Sequence, residues 1–195
     1  HILASASIDK TIKLWDVSKG NCIRTFHGHK DKVLSISFCQ DGSTMATGSS
    51  DYSVRLWDVE QGRCIKLLQG HSSKVQSVIL SKKGQTIISS SMDSSVRWWD
   101  VSKGMCIRTL NGQNIKVLSI TSKPVNFTAI NRAFSRNIDS MPPSGIDSTI
   151  ATAGLDGLIR FWDIASGRCS KILKGHTDWI WSISFSHDGA LLASC

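Results

Sequence analysis

The chain has 195 residues, 41% of them hydrophobic and 19% charged, which is enough apolar material for a real core and argues against global disorder. No run approaches the ~18 apolar residues of a membrane span, and no basic segment leads into an apolar leader. The formal net charge is +8, but Lys and Arg are scattered along the chain, which fits solvated surface better than a concentrated track for nucleic acid.

The first segment, "HILASAS", reads as a strand, and the turn formers "IDK" separate it from a second strand, "TIKLWD". Then come "VLSISF" (33–38), "TMATGS" (44–49), "SVRLWDV" (53–59) and "CIKLLQ" (64–69). These are short, mostly alternating and rich in β-branched or apolar residues. The turn formers "CQDG", "SDY" and "EQG" part them. The same pattern returns through "MDSSVRWWD" and "LDGLIRFWD", and the chain closes on "WIWSISF" and "LLASC". No segment carries a convincing helical period. Beginning at His1 rather than Met and ending in what reads as mid-strand, the sequence is expected to be an excised piece.

Trp-Asp pairs begin at Trp15, Trp57, Trp99 and Trp162, at intervals of 42, 42 and 63 residues, so the last interval exceeds the period by 21. Gly-His pairs at Gly28-His29, Gly70-His71 and Gly175-His176 keep the same register, and Gly112-Gln113 stands in that place once. Fourfold recurrence points to architecture, because an active site needs its groups once. In "SVRLW", Val54 and Leu56 point to one face, Arg55 and Trp57 to the other. A buried indole needs an acceptor for its N–H. The slot of Ser5, Thr47, Ser89 and Thr152 bears a hydroxyl every time, whereas that of Ser7, Ser49 and Ser91 becomes Gly154. The first slot is therefore the expected acceptor. Asp58 and its equivalents are expected to cap the following turn through backbone hydrogen bonds. The recurring Lys13, Arg55, Arg97 and Arg160 share the tryptophan face, where a guanidinium would stack between units.

A period of ~40–45 residues with Gly-His and Trp-Asp resembles the WD-repeat family, over everything except the insert. The resemblance implies an all-β fold, a WD-repeat β-propeller of about four repeats of four-stranded antiparallel blades, forming a partial ring. One domain over 1–195 is expected, with an insert at about 122–146. A closed ring of four blades is the rival. An arc would leave apolar blade ends open to self-association. The resemblance also implies hydrogen-bonded chains Trp57–Thr47–His29–Asp51 and Trp99–Ser89–His71–Asp93. A carboxylate against an imidazole has a catalytic reading too, but its repetition favours a structural one. Beside Thr152, Asp156 and Trp162, Gln113 replaces the histidine. The insert carries Pro124, Pro142, Pro143, Arg132 and Arg136; it is either a functional surface loop or a plain disordered insertion.

Four of six cysteines, Cys22, Cys64, Cys106 and Cys169, occupy one repeat slot, where pairing is geometrically awkward. Buried free thiols in a reducing compartment, cytoplasmic or nuclear, are expected. No zinc-type spacing occurs, so neither metal nor cofactor is expected, nor any catalytic residue.

In the family, the loops before the first strand and between the second and third line one face, called the top. Two slots on it recur: Lys32, Lys74, Lys116 and Trp179, and, just before the turn aspartate, Ile8, Ser50, Met92 and Leu155. Apolar residues are unusual in a turn, and lysines beside them would suit an acidic protein or peptide with an apolar anchor. Trp179 is the strongest candidate, and the burial of its neighbour Trp181 is left open. The expected function is a non-catalytic scaffold for a protein or peptide. A regulatory domain of a multidomain ATPase, suggested by "GxCI(R/K)TL…GH", is the alternative, and an enzyme built on a propeller comes third.

Overall fold

The computed structural model describes residues 2–110, 116–122, 149–164 and 166–195, and every regular element among them is a strand. The first sheet holds β1 (Ile2–Ala6), β2 (Ile12–Asp16) and β3 (Asn21–Phe26). The second holds β4 (Val33–Phe38), β5 (Thr44–Ser49), β6 (Val54–Asp58) and β7 (Cys64–Leu68). The third holds β8 (Val75–Leu80), β9 (Thr86–Ser91), β10 (Val96–Asp100) and β11 (Met105–Leu110). The fourth holds β12 (Val117–Ser122), β13 (Thr149–Gly154), β14 (Leu158–Asp163) and β15 (Cys169–Lys174). A pair, β16 (Ile183–Phe185) and β17 (Leu192–Ser194), follows. All pairings are antiparallel between neighbours in chain order. The arrangement is that of a partial propeller.

The turns between second and third strands are tight because a left-handed residue follows each aspartate: Lys10, Tyr52, Ser94 and Gly157 have φ of 72°, 70°, 66° and 69°. A register shift falls before each repeat tryptophan, so that Trp57 stands opposite Cys64 and Leu56 opposite Lys66. The bulge places the recurring cysteine across from the indole.

A four-stranded sheet buries neither face alone, and the core accordingly lies between sheets. Ile12 and Phe26 of the first sheet pack with Met45 and Trp57 of the second. Val54 and Leu68 pack with Ile87 and Trp99, and Val96 and Leu110 with Ile150 and Trp162. Ala151, Ala153 and Ile159 pack with Ile180 and Ile183.

Two further joints bind neighbours. On the innermost strands, Ser35 Oγ accepts from the Val78 N–H at 3.0 Å and Ser37 Oγ from Leu80 N–H at 2.9 Å. Ser119 Oγ accepts from Ile183 N–H at 3.2 Å. On the outermost strands, Arg24 lies against Gly62, Lys66 Nζ donates to the Ser102 carbonyl, and Arg108 Nη1 donates to the Ile164 carbonyl.

The repeat-slot thiols are free but not buried as expected. Cys22 and Cys169 are exposed and Cys64 and Cys106 half-buried; only Cys39, outside the slot, is buried. The slot lies near the outer edge, where Cys64 and Cys106 are covered from one side by the preceding sheet. The expected insert and Gln113 lie outside the described residues.

Candidate functional site

Both expected hydrogen-bonded chains are present. Trp57 Nε1 donates to Thr47 Oγ1 at 2.8 Å, His29 Nε2 lies 2.7 Å from that oxygen, and His29 Nδ1 lies 2.8 Å from Asp51 Oδ2. In the next sheet the Trp99–Ser89, Ser89–His71 and His71–Asp93 separations are 2.8, 2.7 and 2.8 Å. The proton order follows from the inventory of donors. An indole only donates, so the hydroxyl accepts from it, and an ionised carboxylate only accepts, so it takes the imidazole's Nδ1–H.

Burial holds the His71 imidazole below its usual pKa against the opposing pull of Asp93. Burial would raise the Asp93 carboxyl, but hydrogen bonds from Ser95 and His71 outweigh it and pull the group down to about 2. Asp51 is likewise displaced below the usual carboxylate range: hydrogen bonds from His29, Ser53 and the Lys30 N–H overcome the burial that opposes them. The oxygens of Asp51 and Asp93 are each engaged by local donors: Asp51 by His29, the Lys30 N–H and Ser53, and Asp93 by His71, the Ser72 N–H and Ser95.

Gly28 shows why the glycine of Gly-His is required. Its φ is +147°, and a Cβ there would lie 3.1 Å from Arg55 Nη1 and 3.2 Å from Trp57 Cη2. Arg55 and Arg97 lie over Trp57 and Trp99, each 5.9 Å from the ring centre, the stacking expected of this slot. The Trp-Asp aspartates cap their turns: Asp58 Oδ1 accepts from Gln61 N–H at 2.7 Å and Asp163 Oδ1 from Ser166 N–H at 2.7 Å.

The fourth sheet differs. Trp162 Nε1 donates to Thr152 Oγ1 at 2.8 Å, but Asp156 Oδ2 receives Arg160 Nη2 at 2.7 Å. The arginine of the stacking slot thus turns to the turn carboxylate. Gly154 also gains a reason: a Cβ there would collide with the Lys116 carbonyl oxygen. In the second sheet, by contrast, Ser49 fits and donates to the Lys32 carbonyl at 2.9 Å.

The two recurring rim slots are joined sheet by sheet. Ser50 N–H donates to the Lys32 carbonyl at 2.8 Å, Met92 N–H to Lys74 at 2.9 Å and Leu155 N–H to Lys116 at 3.3 Å. Lys32, Lys74 and Lys116 are exposed. Ile8 is 70% exposed, whereas Met92 and Leu155 are half-buried. Trp179 is 49% exposed and Trp181 62%, and their rings meet edge to face with centres 5.5 Å apart. Among the described residues no group of three His, Cys, Asp or Glu side chains is placed to hold a metal, and no helix is long and apolar enough to cross a membrane.

Sequence reasoning missed the inner serines and the outer straps. The serine was visible in "VLSISF", "VQSVIL", "VLSITS" and "IWSISF", as was the basic residue in "CIR", "CIK" and "CIR". Their register was legible; their backbone partners on the next sheet were not.

Against this geometry, the family model "WD domain, G-beta repeat" matches residues 1–16, 20–58, 62–100 and 167–195. The chain belongs to the WD-repeat family. Among curated proteins it is 40% identical over 58 residues to Nuclear distribution protein PAC1-2 of Uncinocarpus reesii, covering 27% of this chain and 13% of that protein. It is 51% identical over 41 residues to the F-box-like/WD repeat-containing protein TBL1X of Mus musculus, covering 21% of this chain and 8% of that one. WD40 repeat-containing protein HOS15 of Arabidopsis thaliana is 46% identical over 44 residues, 23% of this chain and 7% of the other. These matches thus span at most 13% of the relatives' length. As a WD-repeat chain, it has the architecture of a protein-interaction scaffold, a class typically without catalysis.

Proposed function

We propose that this WD-repeat chain is a non-catalytic platform that seats a protein or peptide partner on its top rim. Lys32, Lys74, Lys116 and Trp179 would make the contact, with Ile8, Met92 and Leu155 beside them. The observation that carries this reading is the backbone joint between the two rim slots in three successive sheets, which sets each exposed lysine beside a turn residue. A partner with acidic side chains and an apolar anchor fits such a row, since charge gives approach and register while an aromatic contact gives affinity. Free thiols at all six cysteines support a reducing compartment, cytoplasmic or nuclear.

The test is a triple charge reversal, Lys32→Glu, Lys74→Glu and Lys116→Glu. A labelled peptide of glutamates around one leucine serves as the probe, read by fluorescence anisotropy at two salt concentrations. Binding by the wild type should weaken with salt and be lost in the variant, with the thermal transition unchanged. Equal binding by both proteins refutes the rim as the contact.

A further inference from the structure

The turn between β5 and β6 carries Tyr52, the chain's single tyrosine, in a left-handed conformation with a φ of 70°. Lys10, Ser94 and Gly157 hold the same slot at 72°, 66° and 69°, so the turn imposes that conformation and leaves the side chain free to vary. A bulky residue there carries backbone strain that a glycine would not. Packing does not offset the strain. Tyr52 is 47% exposed, and among the described residues its ring meets no other ring or cation and its hydroxyl makes no hydrogen bond. The second sheet is covered on both sides, by the first at Met45 and Trp57 and by the third at Val54 and Leu68, so this exposure belongs to the turn itself. A strained aromatic left open to solvent points to a task outside the fold.

The same turn is tied to two lysines. Lys30 N–H donates to Asp51 Oδ2 at 2.9 Å, and Ser50 N–H donates to the Lys32 carbonyl at 2.8 Å. Both lysines are exposed. Val33 N–H donates in turn to the Ser7 carbonyl at 3.0 Å, which sets Lys32 between the turn that carries Ile8 and the turn that carries Tyr52. One patch across the seam of the first and second sheets therefore holds an isoleucine, two ammonium groups and a phenol ring. The Tyr52 slot holds serine in the third sheet and glycine in the fourth, and the Lys30 slot holds Ser72 and Thr177 elsewhere, so the repeat itself does not call for this combination.

We infer that Tyr52 anchors the partner: one apolar side chain of an acidic peptide segment packs on its ring, and the carboxylates flanking that residue reach Lys30 and Lys32. The inference rests on the rim reading and gives it a centre, at a residue outside the two recurring rim slots. Charge complementarity selects this occupant, because two cations beside an apolar surface suit carboxylates beside an apolar group. Both cations belong to the loop that is hydrogen-bonded to the tyrosine's own turn. A tyrosine offers rigid, amphipathic contact area at small entropic cost, and a tight turn holds it in place before the partner arrives.

A pair of labelled peptides tests it by fluorescence anisotropy: glutamates around one leucine, and the same peptide with alanine in place of the leucine. The wild type should bind the leucine peptide about tenfold more tightly than the alanine peptide. Tyr52→Gly should erase that preference and leave the thermal midpoint unchanged or higher, because glycine accepts a left-handed turn without strain. Tyr52→Asn, which also tolerates that conformation, takes its place if the glycine variant does not fold. Tyr52→Phe should keep the preference. The triple lysine reversal should weaken both peptides alike, so the lysine row and the anchor fail separately. A wild type that does not distinguish the peptides, a Tyr52→Gly protein that still does, or a preference lost only together with a lowered midpoint would each overturn the inference.

Discussion

The third and fourth sheets carry the same indole on the same kind of hydroxyl, yet they satisfy the turn carboxylate differently. In the third, Asp93 receives His71, and Arg97 lies over the Trp99 ring. In the fourth, Asp156 receives Arg160 directly. The comparison separates two roles that the repeat usually fuses. The indole–hydroxyl bond and the packing beneath it persist, so they define the blade. The carboxylate's partner is replaceable, provided some cation or N–H donor reaches it.

The comparison can be broken most forcefully at the shared part. Trp99→Ala should cost about 3–5 kcal/mol in denaturant unfolding, because a fully buried aromatic leaves a cavity and Ser89 loses a donor. A cost below about 1 kcal/mol would mean that the indole does not define the blade. The next effect belongs to the third sheet alone. His71→Ala should cost about 1–3 kcal/mol, mainly by leaving the Asp93 carboxylate and Ser89 hydroxyl short of partners.

Acid sharpens the contrast with a smaller effect. His71 has a folded pKa below its ordinary value of 6.5, so the unfolded chain binds its proton first. The resulting stability is present above that value and is lost as pH falls below it, at no more than about 1.4 kcal/mol per pH unit for one group. Asp93, held at about 2 against an ordinary 3.8, adds a second loss only as pH falls through that lower range. Chemical denaturation followed between neutral pH and pH ~5 should show the first decline, and His71→Gln should flatten it. The smallest effect is expected in the fourth sheet. Arg160→Ala removes a partly exposed ion pair and should cost up to about 1 kcal/mol, less than His71→Ala. A larger loss would mean that Arg160 has become as central as the imidazole it stands in for.

Much of this was legible in the sequence. The Trp-Asp period identified the blades, and the constant hydroxyl slot identified the indole's acceptor without coordinates. The switch at Asp156 was not legible, because Arg160 occupies the same register as Arg55 and Arg97, and only geometry distinguishes stacking from pairing. Ser35, Ser37 and Ser119 escaped for a different reason: they bond to main-chain N–H groups on a neighbouring sheet, which no side-chain pattern marks. The cysteines misled because repeat-locked small residues suggest a core, whereas their strand is the outermost.

Those serine joints have one more implication. Since each grips the polypeptide backbone and ignores the neighbour's side chain, any unit with a strand at that depth is an acceptable successor. Duplication or loss of whole units would therefore leave working seams of the kind seen at Ser119. Such a fold can change its length by recombination long before it needs to change its chemistry.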